Sequence, residues 1–404
     1  MTRLRVLLGK ALVPVLSVVT ALIFGAIVIV LTDLENLSRL GTDPIGAIGG
    51  AVGGVFRGYG AMLSGAFGDP GRILTAIQSG NVRTVSTAIR PITETLVAST
   101  PLIFTGLAVA ISFRAGMFNI GVDGQLMIGA LGATITAIAL AGQVPAFVIL
   151  IAALAVGTLS GGLWGFIPGF LKARTGAHEV ITTIMLNYVA AQVVFFALRS
   201  TWLRASGSTS PVSKNLQPIV DVPTLLPFLP SIRLDLGFVV ALLVGVAVSW
   251  LLFRTTLGFE LRAAGFNLTA ARYAGMSAGG SMVLAMALSG ALGGLGGSFM
   301  VLGTVSQLTL DLSGGIGFTA IALALLASLR PSGVILAALL FGALTTGGKL
   351  MGIQSGIPFD LLSFIMALVI MFVAAPGLIR SIWRVRVSKP APEVAATTQP
   401  TGTV

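Results

Sequence analysis

RTTLGFELRAAGFNLTAARYAGM, residues 254–276, is a polar island between two of the most apolar stretches of the chain, 236–253 and 278–302. Its reading decides the rest. Asn267 is a good N-cap, because its short side chain can accept from a free backbone N–H of the first helical turn. Leu268 to Ala274 suit about two turns of helix, with Arg272 near the negative end of the dipole. Gly275 supplies the backbone freedom that ends such a helix, and Gly265 breaks the chain just before it. So short a helix has little stability alone. Between two membrane spans it reads as a docking piece for a cytoplasmic partner.

The composition fits that context. Of 404 residues, 55% are hydrophobic and only 9% charged, against about 25% charged in soluble domains. A soluble enzyme is excluded. Cysteine is absent and there is one histidine, His178, so disulfides, thiol catalysis and cysteine or multi-histidine metal sites are excluded too. The net charge of +11 does not indicate nucleic acid, because the basic residues are scattered between apolar runs. They read as topology signals and as contacts with anionic membrane lipids.

A membrane span needs about 20 predominantly apolar residues. Segments 11–31, 92–112, 123–141, 146–170, 180–198, 236–253, 278–302, 316–329, 332–348 and 359–376 qualify, which predicts an all-α, polytopic transmembrane bundle of about ten spans. An even count puts both termini on one side. Arg3, Arg5 and Lys10, then Lys172 and Arg174, then Arg380, Arg384 and Arg386 mark that side as cytoplasmic. The island and Arg114 fall on it as well.

Four divisions follow: a first span with its flanks (1–40), a segment 41–90, a transmembrane domain (91–387) and a disordered Pro/Thr/Ala-rich tail (388–404). Within the second, Gly41 to Gly71 is Gly-rich with Arg57 at its middle, where a charge costs about 2.5–3.5 kcal/mol in a membrane. It reads as extracytoplasmic or interfacial. The Pro-containing stretch 200–235 reads as a small ordered cap or a docking surface. Gly290, Gly293, Gly294, Gly296 and Gly297 recur as in helices that pack closely in lipid, and Ser289 and Ser298 read as interhelical hydrogen-bonders.

Candidate chemistry is sparse. There is no phosphate-binding loop, since Gly347-Gly348-Lys349 lacks the upstream glycine and is followed by Leu350. No nucleophile elbow, paired catalytic carboxylates or HExxH motif occurs, so no catalytic residue is assigned. Asn119, Asp123 and Gln125 lie in FRAGMFNIGVDGQ (113–125), a Gly-rich interruption of a span. Either they border a translocation path, or they form a tight turn in which Asp123 caps the next helix. His178 and Glu179 open the following span, where negative charge suits a first turn. Asn187 lies inside that span and must find a partner, in a path or across a helix interface.

FRAGMFNIGVDGQLMIGA (113–130), AHEVITTIMLNYVA (177–190) and GFELRAAGFNLTAARYAGM (258–276) together resemble permease subunits of bacterial ABC importers. The likeness covers about 90–380 and is nearest to the nucleoside and simple-sugar branch, beside the ribose and branched-chain amino-acid permeases. It implies that 265–275 is a coupling helix, with Gly265, Asn267, Ala271, Arg272, Tyr273 and Gly275 at an ATPase subunit. It implies Asn119, Asp123, Gln125, Glu179 and Asn187 as path candidates. It also implies partners: an ATP-binding cassette subunit that binds the ATP, a second homologous permease and an extracytoplasmic substrate-binding lipoprotein, at the bacterial inner membrane. No cofactor or metal is expected on this chain. A branched-chain amino-acid permease and an ion-coupled secondary transporter are the rival readings; the latter needs carboxylates inside spans.

Overall fold

The computed structural model describes residues 2–384. The tail 388–404 lies outside the described residues. In chain order the α-helices are α1 (Thr2–Thr32), α2 (Leu34–Ser38), α3 (Pro44–Phe67), α4 (Pro70–Ser79), α5 (Val82–Arg114), α6 (Val122–Leu140), α7 (Ala146–Thr175) and α8 (Glu179–Leu198). They continue with α9 (Leu236–Arg254), α10 (Thr256–Phe266), α11 (Leu268–Tyr273), α12 (Ala278–Phe299), α13 (Ile316–Leu326), α14 (Pro331–Ser355), α15 (Phe359–Ala374) and α16 (Pro376–Ile382). A π-helical turn, Met300–Thr304, extends α12.

Eight of these helices are long and apolar enough to cross a membrane, or nine if α15 and α16, bent by 91°, count as one span. One segment departs from the sequence reading. The run 316–329 yields a helix of only 11 residues, about 16 Å long and so half of a ~30 Å hydrocarbon core. Gly314 and Gly315, both at positive φ, keep the chain before it from joining the helix. Segment 41–71 holds the 24-residue α3, whose N-cap Asp43 accepts from the Gly46 amide at 3.0 Å. Arg57 is accommodated there because its guanidinium folds back beside Gly53 and Gly54, close to Asp33 at the end of α1. It does not have to project sideways from mid-helix.

α5 is the axis of the bundle. Ile103 to Ile111 are all buried, polar Thr105 at 0% exposure included, and packed among α9, α12, α13 and α14. A second seam is built from glycine. A Cβ on Gly161 of α7 would lie 2.6 Å from Gly294 Cα of α12, and one on Gly165 2.9 Å from Gly290 Cα. The backbones of α6, α7 and α12 thus touch directly, which is the close packing expected of the glycine repeats. Ser289 bonds across helices to Ala108 O at 2.7 Å, whereas Ser298 bonds back to Gly294 O of its own helix at 2.8 Å.

The direction of the long helices is set by contacts at their ends. Arg114, closing α5, donates to Leu329 O just before α14 begins. The far end of α14, Ser355 and Gly356, shares a recess with Thr32 and Asp33 at the far end of α1. Trp383, after α16, donates to Thr20 of α1 at 2.8 Å. Between α8 and α9 the chain forms an ordered cap over buried Leu203, Leu216, Val220 and Leu234. It pairs with the segment after the π-turn through Ser213 N to Leu308 O (3.0 Å) and Leu216 N to Ser306 O (2.9 Å). Arg233 clasps the cap to α5 by donating two hydrogen bonds to the Glu94 carboxylate, which holds the guanidinium more firmly protonated than usual.

Candidate coupling element and helix break

The island folds as two helices, not one. After Arg254 the chain turns sharply: Thr255 caps α10 by accepting from Gly258 N at 3.0 Å, and Gly258 lies directly on the backbone of Leu251 and Leu252. α10 runs to Phe266. Asn267 then breaks the helix with φ −156° and caps α11, accepting from both Thr269 N and Ala270 N at 3.0 Å. At the other end Met276 N donates to Ala271 O and Gly275 N to Arg272 O, with Gly275 at φ 80°. That pair is the Schellman arrangement, and it satisfies the last free carbonyls of α11.

Gly265 therefore has a different role from a chain breaker. It lies within α10 at helical φ, and a Cβ there would overlap Arg114 O and stand 2.7 Å from Gly116 N. It is glycine because two backbones meet. Its partner Gly116 sits at φ 73° and ends α5 by the same motif, Met117 N to Ser112 O and Gly116 N to Phe113 O. The buried side of α11 rests on this junction, with Ala271 3% exposed and Leu268 packed on Met117, Met282 and Met286. The other side is bare. Tyr273 is 90% exposed beside exposed Arg272, and Phe266, which sequence reading passed over, is 95% exposed. The signal for Phe266 was present as an aromatic residue immediately before a capping Asn.

From Gly116 to Gly121 the chain is non-helical, with Met117, Asn119 and Gly121 buried while Phe118 is 47% exposed. Its side chains and backbone form one hydrogen-bonded set. Asn119 donates to Gln125 Oε1 (3.0 Å) and to Ser289 Oγ (2.8 Å), and accepts from Gly121 N (2.9 Å). Asn187 reaches in from α8, accepting from Gly124 N at 2.8 Å and donating to Ile120 O at 2.9 Å. Asn119 and Gln125 are at most 1% exposed. Ser289 lies eleven residues along α12, about 16 Å from its start, so the break is deep in the bundle. These amides supply the partners that non-helical backbone needs at that depth.

Asp123 does not cap α6, whose N-cap Gly121 has no side-chain bond. Its Oδ1 instead accepts from Gly317 N at 2.8 Å, in the first turn of α13. Glu179 is held at the turn from α7 to α8 by Lys172, 2.9 Å away. His178 precedes α8 without a side-chain capping bond. The structure thus brings Asn119, Gln125 and Asn187 into one network, sets Asp123 beside it, and leaves Glu179 on a separate tie.

The family described as branched-chain amino acid transport system / permease component matches residues 92–374. The chain belongs to this permease family. Among its relatives, the guanosine ABC transporter permease protein NupP of Bacillus subtilis is 36% identical over 93% of this chain and 96% of the relative. The nucleoside ABC transporter permease protein NupB of Lactococcus lactis is 31% identical over 92% of each chain. The glucose ABC transporter permease protein TsgB13 of Haloferax volcanii is 33% identical over 89% of this chain and 86% of the relative. No solved structure matches the chain. The family's permeases work with a separate ATPase. The family match begins at 92, inside α5, and takes in the break and the island together.

Proposed function

We propose that this chain is the permease subunit of an ABC importer for nucleosides or simple sugars in the bacterial plasma membrane. It forms half of the translocation path with a second, homologous permease. ATP is hydrolysed on partner subunits that receive α10 and α11, and an extracytoplasmic lipoprotein delivers the solute. The observation that carries this reading is the island: a capped helix rigidly backed by the α5 terminus through Gly265 and Gly116, with Phe266, Arg272 and Tyr273 left bare. A partner pressing on such a lever biases a two-state bundle.

The choice of solute rests on the relatives' names together with the scarcity of acids within the apolar helices, which suits a neutral polar solute. With the island on the cytoplasmic side, the helix ends support cytoplasmic termini. α1 and α14 finish together at the end remote from the island, so the start of α1 belongs to the cytoplasmic side. Trp383 bound to Thr20 brings the C-terminal helices to α1 as well. Asn119, Gln125 and Asn187 hold the break in shape beside the path, with Asp123 fixing the start of α13. The test is uptake of radiolabelled nucleosides and hexoses in cells carrying the complete transporter, against cells in which the ATPase subunit is deleted. Uptake of one solute class that vanishes without the ATPase is expected. Uptake that persists without it contradicts the reading and favours ion coupling.

A further inference from the structure

At the end of α5 opposite the island, α4, the first turns of α5 and the end of α14 frame an open recess of about 930 Å³. Its wall carries two guanidinium groups, Arg72 and Arg83, and the hydroxyls of Thr75, Ser79, Thr84 and Thr87. The one acid on the wall is Asp69, whose Oδ1 is taken up in capping α4, accepting from Gly71 N (2.8 Å) and Arg72 N (3.2 Å). Among the described residues neither Arg72 nor Arg83 has a carboxylate within ion-pair distance, in contrast to Arg39, Arg90 and Arg233. The wall therefore carries two positive charges and one negative, a surplus of one.

The outer face of α4 has the opposite character. Leu74 and Ile77 are each 60% exposed, next to Phe67 at 59% and Leu63 at 56% on the end of α3. Among the described residues these side chains are largely uncovered, and they adjoin helices α5 and α14, which are long and apolar enough to cross a membrane. A short helix with cations and hydroxyls on one face and bare aliphatic groups on the other is the pattern of an interfacial helix. The recess beside it joins these polar groups to a mainly apolar lining.

We propose that this recess binds the headgroup of an anionic phospholipid, with Arg72 and Arg83 on its phosphate and the hydroxyls on its glycerol. The acyl chains then lie over Leu63, Phe67, Leu74 and Ile77. The charge argument selects the ligand. A headgroup bearing one negative charge neutralises the wall, whereas a zwitterionic one leaves the surplus cation unmatched. The size argument rejects free phosphate, which fills only a small part of the recess and leaves the aliphatic face bare. The inference rests on the membrane placement of α5 and α14 and not on which solute is carried.

The experiment is native mass spectrometry of the purified full-length chain in mild detergent, with phosphatidylglycerol, phosphatidylcholine or inorganic phosphate added in separate arms. Wild-type protein should retain phosphatidylglycerol about tenfold better than phosphatidylcholine. The R72Q/R83Q double variant should lose that preference while retaining phosphatidylcholine as before. Equal retention of the two lipids by wild type, unchanged preference in the variant, or displacement of bound lipid by inorganic phosphate would overturn the proposal. The wild-type comparison needs no variant, so it stands even if the double substitution fails to fold.

Discussion

Gly265 of α10 and Gly116 at the end of α5 meet backbone to backbone, so near that a Cβ on Gly116 would lie 3.0 Å from Gly265 Cα. This contact joins the exposed island to the buried break. One residue on the lever side and three residues before Asn119 on the break side, it leaves no side chain between them to absorb a displacement.

Gly265→Ala should therefore cost about 1–3 kcal/mol by overpacking against backbone, and Gly116→Ala, with a milder contact, about 1–3 kcal/mol through its strained positive φ. Thermal unfolding in detergent should place both variants below wild type. Of the G265A protein that remains folded, uptake per ATP hydrolysed should fall. Unchanged melting in both variants would mean that the two backbones are not in contact.

Asn187→Leu removes the partners of Gly124 N and Ile120 O together. Each buried group left without a bond costs about 1–3 kcal/mol. Folded protein and uptake should decline in parallel, as read by size-exclusion of a fluorescent fusion beside transport. If uptake alone falls, Asn187 contacts solute as well as holding the break.

Much of this was legible beforehand, and the parts that were not share a cause. The Asn267 cap and the Gly275 stop depend on neighbours two to five residues away, so local sequence was enough. The network of Asn119, Gln125 and Asn187 could be narrowed to polar groups needing partners, but the choice of Ser289 and of Ile120 O is made by α12 and α8 arriving from afar. Gly265 was misread for the same reason: a glycine before a capping Asn looks like a local break, and only its meeting with Gly116 shows a packing role. α3 was hidden because eight glycines and Arg57 dilute its apolar character. α13 looked like a span because composition does not reveal that the helix stops at Leu326, before Ser328 and Leu329 at positive φ.

Asp235, the buried N-cap of α9, should give the fold a pH dependence. Burial pushes its carboxyl up to about 6, and nearby Asp221 adds to the shift. The folded protein thus keeps this proton between about pH 4 and 6, where the unfolded chain has released it. Stability is greatest below that window and falls as pH rises through it, by roughly 2–3 kcal/mol. Asp235→Asn retains an oxygen for Gly237 N and should flatten the profile. Melting temperatures measured from pH 4 to 7 in one detergent would check this. A wild-type profile that rises with pH over that range would contradict it.

The lipid recess and the island lie at opposite ends of α5, so their variants should be separable. R72Q/R83Q should alter lipid retention without changing the ATP cost of uptake, and changes at α11 should do the reverse. Parallel loss in both assays would show a general folding defect.

The most direct test of the account is the coupling ratio of the complete transporter in proteoliposomes, measured as solute imported per ATP hydrolysed, with Arg272→Glu and Tyr273→Ala combined. Both side chains are exposed and make no contact that holds the bundle together. The account predicts normal insertion and melting, with ATP hydrolysis no longer driving import. A variant that imports solute at the wild-type ratio would contradict the assignment of α11 as the contact with the ATPase.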